Sequence, residues 1–287
     1  MISGIKKELM YFLRGGRLLA AALVMIGLAF MSPISFGMMG QMMQSMKEAV
    51  PDEQYSQLAD EFTSFTASDI LLYNVEYVGS IGSIVILFLF KGAAGGEQKR
   101  RSVIIPHCSG LSVVRYALPK FIIYPLMIAL IAIAAVMLSA LLSAAMFPGI
   151  LDWSMVLLSA ACIGIYLAYS TAVQFCIGIC TGRANLAVVC VIIMHMVMPT
   201  ILSFFRVDRF NPLALNSISL GAARMSGDSG SSLLASLDTT SISTDVTQLN
   251  VIVSIATALV ISVLLYFLTV FVMHTQEVHN EGDEPVL

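Results

Sequence analysis

Two ionisable residues interrupt the apolar runs of this 287-residue chain, Glu76 and His195. An ionisable group in hydrocarbon is costly and marks a candidate site by default. Glu76 stands beside Tyr73, Asn74 and Tyr77. It could take up protons or line a cation-tolerant outer cavity, or it could snorkel or bond across helices near the surface. His195 stands among Met194, Met196 and Met198. It reads either as a base or ligand, or as a hydrogen-bonded member of a helix bundle. Gln174, Tyr166 and Tyr169 fit helix contacts and cavity lining equally well. Met38, Met39, Met42, Met43 and Met46 place thioethers on shared helix faces at i, i+4 spacing. Thioethers suit Cu(I), but they also make adaptable lining for apolar cargo. With 18 Met in the chain, a general preference for Met is the simpler account, and no metal site is assigned.

The motifs of self-sufficient chemistry are missing from the sequence. It has no G-x-x-x-x-G-K-[ST], no H-E-x-x-H, no C-x-x-C and no G-x-S-x-G. The chain is therefore not expected to be an enzyme or to hold its own nucleotide or cofactor. Energised work would draw on an ion gradient or on another chain.

The elements that must position these residues follow from composition. Hydrophobic residues make up 58% and charged residues only 11%, with a mean hydropathy of +0.88. A soluble domain carries about 25% charged residues. A soluble enzyme, a nucleic-acid-binding protein and a disordered scaffold are excluded, which leaves an all-α polytopic membrane protein. About 20 apolar residues cross a bilayer core as a helix. Six runs qualify: Leu18–Met39, Ile70–Phe90, Phe121–Phe147, Trp153–Cys180, Leu186–Phe205 and Val251–Met273. The third and fourth are longer than needed, so tilt or extension beyond the bilayer is expected.

Charge sets the orientation. Eleven of the 15 Lys and Arg fall on one side if both termini are cytoplasmic, leaving Lys47, Arg206, Arg209 and Arg224 outside. The first span is too long for a signal peptide and no small-x-small cleavage site follows it, so it is read as retained. Ahead of it, Ile5–Arg14 mixes Lys6, Lys7 and Arg14 with Leu9, Phe12 and Leu13. That pattern suits an amphipathic helix in the inner headgroup plane or a plain positive-inside anchor. The connections Pro148–Asp152 and Thr181–Asn185 are short and force spans three to five into antiparallel hairpins. The inner loop 91–120 and the outer segments 40–69 and 206–250 are long. None is large enough for a soluble domain with its own core, so residues 1–287 form one transmembrane domain. Segment 40–69 carries Glu48, Asp52, Glu53, Asp60, Glu61 and Asp69 against Lys47 alone, as either a solvated cap or an acidic vestibule.

The inner loop begins Glu97-Gln98-Lys99-Arg100-Arg101-Ser102, continues through Val103-Ile104-Ile105-Pro106 and Gly110-Leu111-Ser112, and closes on Lys120. Apolar residues on a cytoplasmic loop call for a partner to cover them. The loop resembles that of the ABC-2 type permease family: Glu, charges, Gly-Thr, a short apolar helix, Pro-x-Ser, then Lys before span three. Glu97, Ser102, Ser112 and Lys120 fall on the family's Glu, Thr, Ser and Lys. Arg101 and Gly110 depart from its Gly and Pro, and Pro106 would shorten or bend the short helix. Six spans, internal termini, an amphipathic start and a large last outer loop with Asn211-Pro212 are similar to the family as well.

The resemblance implies a type V exporter-like architecture in a bacterial cell membrane, with the last outer loop folding partly back as short helices. It also implies a homodimer, or a heterodimer with a related permease, and a separate ABC ATPase subunit that binds ATP and Mg. Glu97, Arg100, Arg101, Ser102, Val103, Ile104, Ile105, Ser112 and Lys120 would couple to that ATPase. Cargo would pass along spans one, two and five, with Met38, Met42, Glu76, Gln174 and His195 as candidate path residues. Two rivals stay open: a gradient-driven transporter with Glu76 as coupling carboxylate, and a membrane-embedded enzyme using Glu76 or His195.

Overall fold

The computed structural model describes residues 13–49, 64–99, 113–204, 210–227 and 247–282, together with Lys6, Leu9 and Met10. Among these residues there are helices and turns and no strand. Six helices are long and apolar enough to cross a membrane. In chain order the elements are α1 (Arg17–Ala49), α2 (Ala67–Tyr77), a π-helical turn (Val78–Gly82), α3 (Ser83–Lys99), α4 (Val113–Met146), α5 (Trp153–Thr181), α6 (Ala184–Phe204), α7 (Ala214–Met225) and α8 (Gln248–Gly282). Span two is α2, the π turn and α3 in one continuous rod.

Helix ends depart from the apolar runs where sequence reading took a polar residue or a proline for a boundary. Span three was expected to begin at Phe121, yet α4 starts at Val113 and carries both Pro119 and Pro125 inside it. Neighbouring helices make such prolines tolerable in a membrane bundle. The inner loop was expected to span 91–120; α3 runs helically through Lys99 and α4 resumes at Val113, which leaves only 100–112 between helices. Helix α1 likewise continues past Met39 to Ala49. At the other end of α1, Leu13 and Arg14 are helical, and Gly16 breaks the chain at φ +67° before Arg17.

Local chemistry fixes the turns. Thr66 caps α2, and its N–H and hydroxyl both donate to Asp69 Oδ2, at 2.9 and 2.8 Å. Asp69 is buried there, so this member of the acidic segment 40–69 is committed to a helix cap. Asp152 caps α5 by accepting the Ser154 N–H at 2.9 Å and its hydroxyl at 2.7 Å. These bonds, the hydroxyl's first, hold its carboxyl below the ordinary Asp range. Gly182 ends α5 in the left-handed region at φ +63°, where a side chain would be strained. The short helix α7 lies in the segment 206–250 between the fifth and sixth spans, so that segment contains folded structure. Asn211 starts it by accepting the Leu213 N–H at 2.9 Å. The caps at this end are tied together by Ala67 N–H to Pro148 O at 2.9 Å and Asp152 N–H to Ser226 O at 2.6 Å.

The core is built around α5. It packs against α3, α4, α6, α7 and α8, and 72% of its most apolar stretch is buried, against 17% in α6 and in α8. Glycine makes a close approach possible: a Cβ at Gly178 would come within 2.9 Å of the Ala94 carbonyl oxygen. Helix α1 packs on span two and α4, and α6 packs on α3 and α5.

Candidate functional site

Along α5, Tyr166, Ser170 and Gln174 recur every four residues and so share one face. That face meets span two and α6. Gln174 is fully buried, and its Nε2 donates to the Leu87 carbonyl of α3 at 2.6 Å. One turn away, the Ser170 hydroxyl donates to the Tyr166 carbonyl at 2.9 Å and lies 2.9 Å from His195 Nε2. The His195 ring stacks on Tyr166 with centroids 5.2 Å apart, and its Nδ1 is 3.3 Å from the Tyr166 hydroxyl. Ser83, the first residue of α3, lies close to Tyr166 as well. The result is a polar seam joining spans two, four and five inside the bundle.

Proton counting assigns the roles. Ser170 has one proton and gives it to a backbone carbonyl, so toward His195 it accepts. That places the ring proton on Nε2 and leaves Nδ1 to accept from Tyr166. A Ser–His pair at this distance suggests a nucleophile and its base, but here the serine proton is already engaged. What remains uncompensated is Gln174 Oε1, a buried acceptor with no hydrogen-bond partner. In a low-dielectric interior such an atom is costly to leave bare, and it is the seam's one vacant acceptor among the described residues.

A second polar feature lies on the outside of span two. Glu76, Ser80, Ile84 and Phe88 are all exposed. Span two packs against α1, α4, α5, α6 and α7 and leaves this stripe uncovered. At its basic end Lys91 Nζ sits 5.6 Å from the centre of the Phe88 ring. The π turn interrupts the stripe, and its hydroxyls serve the irregular backbone: Ser80 donates to Glu76 O at 2.6 Å, and Ser83 to Ser80 O at 2.7 Å. Gly79 in this turn admits the side chain of Asn216 from α7.

The proposed path residues therefore divide. His195 and Gln174 join the seam, whereas Glu76 is exposed on the stripe and Met38 and Met42 are exposed on α1. Lys120 is inside the bundle: fully buried, with Nζ 3.5 Å from the Ala93 carbonyl and 4.7 Å from the Tyr116 ring centre. Glu97 has helical backbone near the end of α3. Arg100, Arg101, Ser102, Val103, Ile104, Ile105 and Ser112 lie outside the described residues. Ser83 and Ser170 were not singled out from the sequence. The spacing of Ser170 between Tyr166 and Gln174 was the available signal. Asn74, noted only as a neighbour of Glu76, instead donates from Nδ2 to the Leu28 carbonyl of α1 at 2.7 Å.

Compared with protein-family models, characterised proteins and solved structures, the chain matches none. Its class rests on its own residues: an all-helical, multi-pass membrane protein.

Proposed function

We propose that the chain is the membrane-spanning permease subunit of an ATP-driven exporter of ABC-2 type, with both termini in the cytoplasm of a bacterial cell. It pairs with a second copy or a related permease, and with a separate ATPase that holds ATP and Mg. Cargo moves outward by alternating access along the flank formed by α1, span two and α6. The observation that carries this reading is the exposed stripe on span two. A carboxylate on the flank of an apolar bundle costs up to about 3 kcal/mol against lipid, a cost avoided where a second permease and a polar path cover it. The short helix α7 and the resemblance of the 97–120 segment support the same reading.

The decisive experiment targets the loop. Val103 and Ile104 would seat in a cleft of the ATPase, each burying about 1.5–3 kcal/mol of apolar side chain. Changing both to Asp leaves membrane insertion intact, because neither lies in a span, and removes co-purification with a P-loop ATPase together with cargo-stimulated ATP hydrolysis. A double variant that still binds an ATPase and transports sinks the reading. In the gradient-driven rival, Glu76→Gln abolishes transport and its pH dependence; in the exporter, transport continues in that variant.

A further inference from the structure

A cavity of about 460 Å³ lies on another flank, lined by α4, α5 and α8 and by no residue of α1, span two or α6. Tyr169, Ala172 and Ala258 form its buried floor, and the exposed side chains of Ile122, Val263 and Phe267 form its rim. The opening therefore faces the membrane between α4 and α8. Its lining runs from Leu118 to Pro125 on α4 and from Ala258 to Phe267 on α8, about 10–14 Å along each helix at 1.5 Å per residue. Helix α4 starts at the end of the bundle that the Lys and Arg count assigns to the cytoplasm, and α8 finishes there. On α5 and α8 the lining stops at Ala172 and Phe267, nine and eight residues short of Thr181 and Thr275. The groove thus occupies the mid-bundle depth of that leaflet, where the distal half of an acyl chain lies.

We propose that this groove holds one acyl chain of a phospholipid from the basic-side leaflet. The volume falls within the range of small-molecule sites, about 300–1,000 Å³, and decides against the obvious alternative. A helix about 10 Å across would fill it in about one turn, too little to seat a partner's span, whereas an unbranched chain fits a narrow groove lengthwise. The walls are almost wholly apolar, so water gains nothing there. Small floor residues at Ala172 and Ala258 leave space above them, and a void left there would forfeit dispersion contacts on every side. Tyr266 is braced against Phe121 at 5.8 Å and Phe267 at 5.4 Å between ring centres, which keeps the wall from collapsing into the space. The groove does not depend on the transport reading and would hold its lipid in either rival.

The test uses the full chain in nanodiscs of a phospholipid carrying a photoactivatable diazirine midway along one acyl chain. After irradiation, adducts on Tyr169, Ala172 and Val263 should exceed those on Ile193, a lipid-facing residue of α6, by about tenfold. One phospholipid per chain should also survive detergent extraction. Ala172→Phe and, as a milder filling, Ala258→Leu should each reduce the floor adducts and the retained lipid, while Ile193→Phe changes neither. Three results overturn the proposal: labelling spread evenly around the bundle, which means annular lipid only; a floor cross-linked to another polypeptide; or retained lipid unchanged when the groove is filled. Mapping of the unaltered chain decides the matter even if a filled variant fails to fold.

Discussion

In α5 the central stretch is 72% buried, and in its neighbour α6 it is 17% buried, although both are apolar runs of spanning length. Their polar side chains differ in the same sense. Ser159, Ser170, Thr171 and Gln174 of α5 all donate to backbone carbonyls, two of them on its own helix and two on α7 and α3. Ser219 of α7 returns the bond to Ser159 O at 2.8 Å. Helix α6 offers His195 to α5, and beyond it packs with the buried small residues Ala187, Val188 and Val191. Helix α5 is thus a mast to which the others are tied. Helix α6 is held at fewer points.

The contrast breaks most readily where α5 meets the backbone of α3. Gly178→Leu drives a side chain into the Ala94 backbone, which cannot yield as a flexible side chain would. It should cost about 3 kcal/mol, the upper end for overpacking, seen as loss of folded protein or a large fall in Tm in mild detergent. A variant of parental stability would show that α5 is not the rigid centre. A middle-sized effect belongs to His195→Ala, which removes both seam contacts. At about 0.6 kcal/mol for a typical interhelical hydrogen bond and up to about 1.7, the loss should be about 1–2 kcal/mol. Met196→Ala on the exposed face of α6 should stay within about 0.5 kcal/mol. Equal effects in unfolding titrations would mean that His195 does not anchor α6.

The smallest effect is at the cap of α5. Asp152→Ala removes a carboxylate that is stabilised in the folded protein by Ser154. Because the folded-state pKa is lowered, the contribution is complete above the ordinary Asp range, near about 4, and disappears as pH falls through the lowered value. Parent and variant should therefore differ modestly in Tm at neutral pH and converge in acid. A difference that grows in acid would reverse the sign.

The six spans were legible because twenty consecutive apolar residues have few other uses. Which helices touch was not. A membrane helix is as apolar toward lipid as toward its neighbours, so periodicity leaves its inward face unmarked. Tyr166, Ser170 and Gln174 declare a shared face, yet their partners His195 and Leu87 come from other spans and no spacing connects them. Lys120 was misleading for a related reason. A lysine before an apolar run reads as a loop residue, but here a carbonyl of α3 and the ring of Tyr116 receive it within the bundle. Asp69 likewise read as one of several acids in a charged segment, and only the geometry of Thr66 shows it engaged in a cap.

The π turn of span two has a consequence for how the chain tolerates change in length. Twelve residues separate Glu76 from Phe88, and at 3.6 residues per turn an unbroken α-helix would set them about 120° apart. Accommodating one residue in the wider turn reduces the effective count to eleven and the angle to about 20°, which is why both lie on the same stripe. The surplus residue can be lost without rotating either flank. Deleting Ile81 should yield a regular helix with Glu76 and Phe88 still aligned, whereas deleting one residue from the middle of α5 would turn half of the mast away from its neighbours.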